Sequence, residues 1–105
     1  MELFEVMFLH ESSYKIPGGK LVKVKLETSS GTIVEVKILG DFFLHPEETL
    51  HEIEDSLVGT TADETSIEKT ITQTLTEFDA TLIGATAADI AKTIMMAWKA
   101  LQDLD

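Results

Sequence analysis

The chain contains no cysteine. That excludes a disulfide framework, thiolate metal sites, a thiol nucleophile and iron–sulfur clusters held by its own sulfurs. Positive charge is scarce: 8 lysines and arginines face 19 acids, for a net charge of −11. Binding phosphate-rich polymers or anionic lipid needs a basic face, so nucleic acid and membrane surfaces are disfavoured as partners. Long hydrophobic runs are also missing. Residues 1–9 are apolar but too short to span a bilayer, and they carry Glu2 and Glu5. They lack the basic flank and small-residue cleavage site of a signal peptide. The expectation is a soluble, cytoplasmic protein. At 105 residues, without repeats, linkers or low-complexity tracts, it has room for one domain and one core.

Charge is unevenly spread. Residues 12–40 carry five lysines (Lys15, Lys20, Lys23, Lys25, Lys37) against Glu27 and Glu35, whereas residues 41–68 carry nine acids and no lysine. Such asymmetry fits two surfaces with different partners, or simply two solvated faces, one on a sheet and one on helices.

Residues 2–9 read as an extended arm, apolar on both faces and in need of cover. Ile16-Pro17-Gly18-Gly19 is a turn. Val22, Val24 and Leu26 then alternate with Lys23, Lys25 and Glu27. After Ser29-Ser30-Gly31, Val34, Val36 and Ile38 alternate with Glu35 and Lys37. This predicts a hairpin with one core face and one wet face.

Gly40-Asp41 ends the second strand, and His45-Pro46-Glu47-Glu48 is expected to start a helix with proline at its first position. Leu50, Ile53 and Leu57 keep helical spacing up to Gly59. The alternating threonines from Thr70 to Thr76 resemble a strand. Yet Ile67, Ile71, Leu75 and Phe78 form a helical stripe, and Thr65 with Glu68 reads as a capping box. Helix is the expectation. Thr86 with Asp89 repeats the cap before a stripe of Ile90, Ile94, Ala97, Trp98 and Leu101. Strands followed by three helices predict an α+β fold: an antiparallel sheet of about three strands with helices packed on one face.

Chemistry is thin. His45, Glu48 and His51 lie near a helix start, but two histidines six apart fall short of the three or four convergent ligands zinc requires. Pro17-Gly18-Gly19-Lys20 lacks the spacing of a phosphate loop and precedes a strand instead of a helix. No nucleophile–base pattern is present. No catalytic or metal-binding residue is expected.

Two stretches point further: Tyr14-Lys15-Ile16-Pro17-Gly18-Gly19-Lys20-Leu21, and Gly40-Asp41-Phe42-Phe43-Leu44-His45-Pro46-Glu47-Glu48. Together they resemble the small accessory domain of lipoate–protein ligases, over residues 13–104. Bacterial members carry this domain behind a large catalytic domain, and archaeal-type systems carry it as a separate short chain. The resemblance implies residues 13–105 as the accessory domain and residues 1–12 as an arm of unexplained role. It also implies a fold like that of iron–sulfur scaffold proteins, although cluster assembly does not carry over to a chain without cysteine.

In function, the resemblance implies a non-catalytic subunit in a heterodimer with a catalytic chain. That chain would hold ATP, magnesium and lipoate, with no cofactor on this one. The complex would activate lipoate to lipoyl-adenylate and then transfer lipoyl to a lysine of an acceptor domain. Candidate contacts to the partner or its active site are Lys15, Gly18, Gly19, Lys20, Asp41, Phe42, Phe43 and His45. The alternatives are a stand-alone interaction adaptor using the acidic face and the apolar arm, and a small metal-binding protein built on His45, Glu48 and His51.

Overall fold

The computed structural model describes residues 8–102. The hairpin is formed by β2 (Leu21–Ser29) and β3 (Thr32–Gly40), with β1 (Phe8–Lys15) paired antiparallel to β2 along its whole length. The order in this sheet is β1-β2-β3. β1 runs straight across the expected boundary at residue 12, while residues 1–7 of the expected arm lie outside the described residues. Ser30 and Gly31, between β2 and β3, both take positive φ. Mirror-image two-residue turns need this to match strand twist.

Val22, Val24 and Leu26 face the core as the alternation predicts. On β3 the alternation breaks. The register shifts between Glu27 and Thr28, so that Glu27 pairs with Glu35 but Thr28 pairs with Ile33. Val34 is therefore the extra residue of a bulge and only half-buried, and Ile33 takes the core position expected of Val34.

The chain leaves the sheet through β4 (Phe43–His45), then forms α1 (Thr49–Leu57) and α2 (Glu64–Glu77), and returns as β5 (Thr81–Ile83) before α3 (Ala87–Gln102). β4 and β5 pair antiparallel as a second, two-stranded sheet. Periodicity does not reveal strands of three residues whose partners are far apart in sequence. His45 ends β4, the His45–Pro46 bond is cis, and Glu48 occupies the N-cap of α1. Pro46 is thus part of the approach to the helix and not its first residue.

α2 is a helix despite its threonines. The hydroxyls of Thr70, Thr74 and Thr76 each donate to the carbonyl four residues earlier, at 2.9–3.0 Å. This satisfies them within the helix. Asp63, not Thr65, sits at the N-cap, and it accepts a bond from Ser66 Oγ at 2.6 Å. Ile67 and Ile71 are buried, whereas Phe78, just past the helix end, is exposed. At α3 the capping box forms reciprocally: Thr86 N–H donates to Asp89 Oδ2 at 3.0 Å, and Asp89 N–H donates to Thr86 Oγ1 at 3.1 Å. Ile90, Ala91, Ile94, Ala97 and Trp98 are buried. The side chain of Leu101, expected on the same stripe, lies outside the described residues.

α3 packs over β1 and β2, α1 over β3, and α2 against both other helices. The architecture is α+β, with an antiparallel three-stranded sheet carrying three helices. Polar stitches complete it. His10, buried on β1, donates from Nδ1 to the Ala97 carbonyl at 3.0 Å, and its Nε2 lies 2.9 Å from Thr28 Oγ1. Ser12 Oγ donates to the Thr93 carbonyl at 2.6 Å. Two residues of strand advance about 6.8 Å, and four residues of helix about 6 Å. Alternate side chains of β1 therefore meet successive turns of α3. On β3, the carboxylate of buried Glu54 accepts the Ile38 N–H at 2.8 Å. Ile33 bonds Gly59 and Thr60, which cover the same edge.

Replacing His10 with alanine removes both bonds and leaves a cavity. The expected loss is about 2–4 kcal/mol, read as a lowered urea midpoint at unchanged slope. A loss below about 0.5 kcal/mol, the range of ordinary surface substitutions, would contradict the stitch.

Candidate functional site

The candidate residues converge at the end of the sheet where β1 passes into β2 and β3 runs out. Lys15 ends β1, exposed. The turn after it closes by Gly19 N–H to the Ile16 carbonyl at 2.9 Å and Ile16 N–H to the Lys20 carbonyl at 2.7 Å. Gly18 takes φ +96°, which an L side chain rarely adopts. A Cβ on Gly18 or Gly19 would meet nothing within 4 Å. The turn is therefore an open projection and offers no walled cradle for a nucleotide or an acyl chain.

Asp41 joins this turn to the end of β3. Its Oδ1 accepts the Leu21 N–H at 2.6 Å, and its own N–H donates to the Leu21 carbonyl at 3.2 Å. The bond from Leu21 chiefly holds the Asp41 carboxyl below the usual aspartate range. Desolvation opposes this, while the Asp41 N–H, Lys20 and Lys15 add to it. Gly40 is required sterically, because a Cβ there would run into the Leu21 carbonyl and come within 2.8 Å of the Phe42 ring.

Phe42 turns inward, half-buried against the core, and Phe43 turns outward. Phe43 pairs with Ile83, Leu44 with Leu82 and His45 with Thr81. Leu44 and Leu82 pack on the core, leaving Phe43, His45, Ile83 and Thr81 exposed. The rings of Phe43 and His45 lie parallel, with centroids 6.4 Å apart. Lys20 reaches the same region, since a Cβ on Gly84 would fall 2.9 Å from Lys20 Cγ. The lysine stem thus lies along the loop that follows β5.

Beside Phe43 opens a groove of about 390 Å³, lined by apolar Leu39, Phe43 and Leu50 and by polar Glu47 and His51. His51 Nδ1 is 3.4 Å from Glu54 Oε1. His45 stands on the ribbon and His51 on α1, and among the described residues no three His, Asp or Glu side chains are grouped to hold a metal ion. No helix among them is long and apolar enough to cross a membrane. The structure thus gathers Lys15, Gly18, Gly19, Lys20, Asp41, Phe42, Phe43 and His45 around one end of the sheet. Sequence reasoning missed Ile83 and Gly84, which reach the site only through β5, and Glu54, whose burial no spacing discloses.

A family model described as the bacterial lipoate protein ligase C-terminus matches residues 5–94. The chain belongs to this family. The match takes in β1 and starts ahead of residue 13, where the resemblance was expected to begin. A stretch of 66 residues is 32% identical to lipoate-protein ligase A subunit 2 of Thermoplasma acidophilum, covering 63% of this chain and 64% of that relative. The alignment thus spans less than two thirds of the relative's own length. The fold is similar to that of a chain in the solved structure of an archaeal lipoylation system from Thermoplasma acidophilum. That structure is of a bi-partite lipoate protein ligase and its E2 lipoyl domain. The TM-score is 0.65 at 23% identity, over 86% of this chain and 96% of the other. Family membership accounts for the α+β architecture around the two motifs.

Asp41 is expected to contribute to the pH dependence of stability. Its folded pKa is depressed, so its contribution is complete above the unfolded value of about 3.9 and is lost as pH falls through the lowered folded value. Asp41→Asn keeps the acceptor oxygen but not the charge. Melting temperature followed from about pH 6 down to about pH 3 should fall less for Asp41→Asn than for the parent. Parallel curves would contradict the assignment.

Proposed function

We propose that this chain is the non-catalytic subunit of a two-chain lipoate–protein ligase. It docks on a separate catalytic chain as a heterodimer. The complex then activates lipoate with ATP to lipoyl-adenylate ahead of transfer to an acceptor-domain lysine. The observation that carries this reading is the family match over residues 5–94. The relative's designation as subunit 2 and the bi-partite character of the archaeal ligase support it.

ATP, magnesium and lipoate are assigned to the catalytic chain. Lys15, Lys20 and the open Gly18–Gly19 turn stand on an exposed surface, and no chemical step is assigned to them. The role that fits such a surface is conformational. A subunit that binds the closed, adenylation-competent form of its partner more tightly than the open form raises the population of the closed form. Rate then rises without any catalytic group being contributed.

The test is lipoate-dependent ATP–pyrophosphate exchange, comparing the catalytic chain of the same organism alone and with this chain added at saturation. The expected result is a rise on the order of tenfold or more, which corresponds to about 1.4 kcal/mol in the barrier. An unchanged rate would overturn the proposal.

A further inference from the structure

We infer that the face which docks the catalytic chain is the apolar strip Leu39–Phe43–Ile83 with its adjoining groove. Its counterpart on the partner is then a protruding apolar side chain flanked by carboxylates. The inference rests on the accessory-subunit reading and adds to it the location and chemistry of the contact.

Leu39, Phe43 and Ile83 are 48%, 54% and 57% exposed. Phe43 and Ile83 are direct cross-strand neighbours, and Leu39 and Phe43 share the wall of the groove. The exposed Phe43–Ile83 pair and Leu39 thus flank one groove, on two sheets anchored in the core through Ile38 and Leu44. The other exposed large apolar residues among those described are Val58 and Phe78, just beyond the ends of α1 and α2, and Phe8 and Leu9, which open β1 with their side chains on opposite faces. Scattered exposed apolar residues are normal, whereas contiguous ones mark interaction sites. A groove beside exposed aromatic surface suits the buried anchor that dominates most interfaces.

The charge around the strip fixes the partner's chemistry. Lys23 is the cross-strand neighbour of Leu39, and Lys37 lies two residues before Leu39 on the same face. Lys20 lies along Gly84, the residue after Ile83. Lys23 and Lys37 form no ion pair among the described residues, where the one pair is His51 with Glu54. Acids share the region: Asp41, whose carboxylate accepts the Leu21 N–H, also faces the charge of Lys20, Glu35 lies two residues before Lys37 on the same face, and Glu47 lines the groove. In a chain of net charge −11, Lys23 directly opposite exposed Leu39, with Lys37 on the same face, offers unpaired ammonium groups that complement carboxylates on the partner.

Binding of the same organism's catalytic chain, measured by titration calorimetry, tests this with the wild type, the double variant Phe43→Ser/Ile83→Ser and Val58→Ser. The expected dissociation constant is about 30-fold or more higher for the double variant and within about threefold of wild type for Val58→Ser. Raising salt from about 0.1 M to about 1 M should weaken the wild-type complex severalfold. Equal affinity of the double variant and the wild type would overturn the apolar strip, and salt-independent binding would overturn the acidic counterpart. Should the double variant fail to fold in a thermal melt, Leu39→Ser decides by the same affinity criterion. A wild type that does not bind at all overturns the accessory-subunit reading itself, an outcome distinct from the others.

Discussion

The closure of the hairpin at Leu21, Gly40 and Asp41 determines where everything beyond the sheet goes. The Asp41 carboxylate and N–H both engage Leu21. The missing Cβ of Gly40 lets the Leu21 carbonyl and the Phe42 ring approach the end of the strand. With the chain held there, side-chain alternation points Phe42 into the core and Phe43 out. It also aims β4 at its distant partner β5 and delivers α1 over β3, where Glu54 meets the Ile38 N–H. A side chain on Gly40 or loss of the Asp41 acceptor therefore affects more than one turn. Each would disturb the junction between the sheet and the helical layer.

The second constraint is the match of β1 to α3. His10 and Ser12 donate to carbonyls one helical turn apart. This fixes the last helix along the first strand and encloses Val22, Val24, Ile90 and Ile94 in the shared core. Hydrogen bonds to buried carbonyls contribute modestly when made and cost more when one partner is lost. They therefore specify this docking more sharply than apolar packing alone.

Patterns within a short window carried the hairpin, the three helices and the cap at Thr86 and Asp89 in the sequence, because periodicity and capping are local. Patterns that depend on distant residues were hidden. The bulge at Val34 displaced the alternation by one residue, since register depends on the partner strand. β4 and β5 are each too short to show a period and pair across the whole of α1 and α2. Pro46 looked like a helix-starting proline but belongs to the link out of β4. The burial of His10 and Glu54 likewise follows from tertiary partners alone. The two motifs supplied the candidates from Lys15 to Lys20 and from Asp41 to His45, which the fold brings to one end of the sheet. Ile83 and Gly84, which complete the surface, lie in a segment that no motif marked.

On the proposed reading as an accessory subunit, the chain acts by what it binds and which state of its partner it favours. The surface proposed for that contact lies at the end of the sheet, packed on the core behind and apolar in front. Hydrogen–deuterium exchange of this chain, free and mixed with the catalytic chain, tests that account most directly. It predicts slowed exchange on binding in residues 39–45 and 81–84, with little change in α2. Protection confined to α2, or none in those two segments while the complex forms, would contradict it.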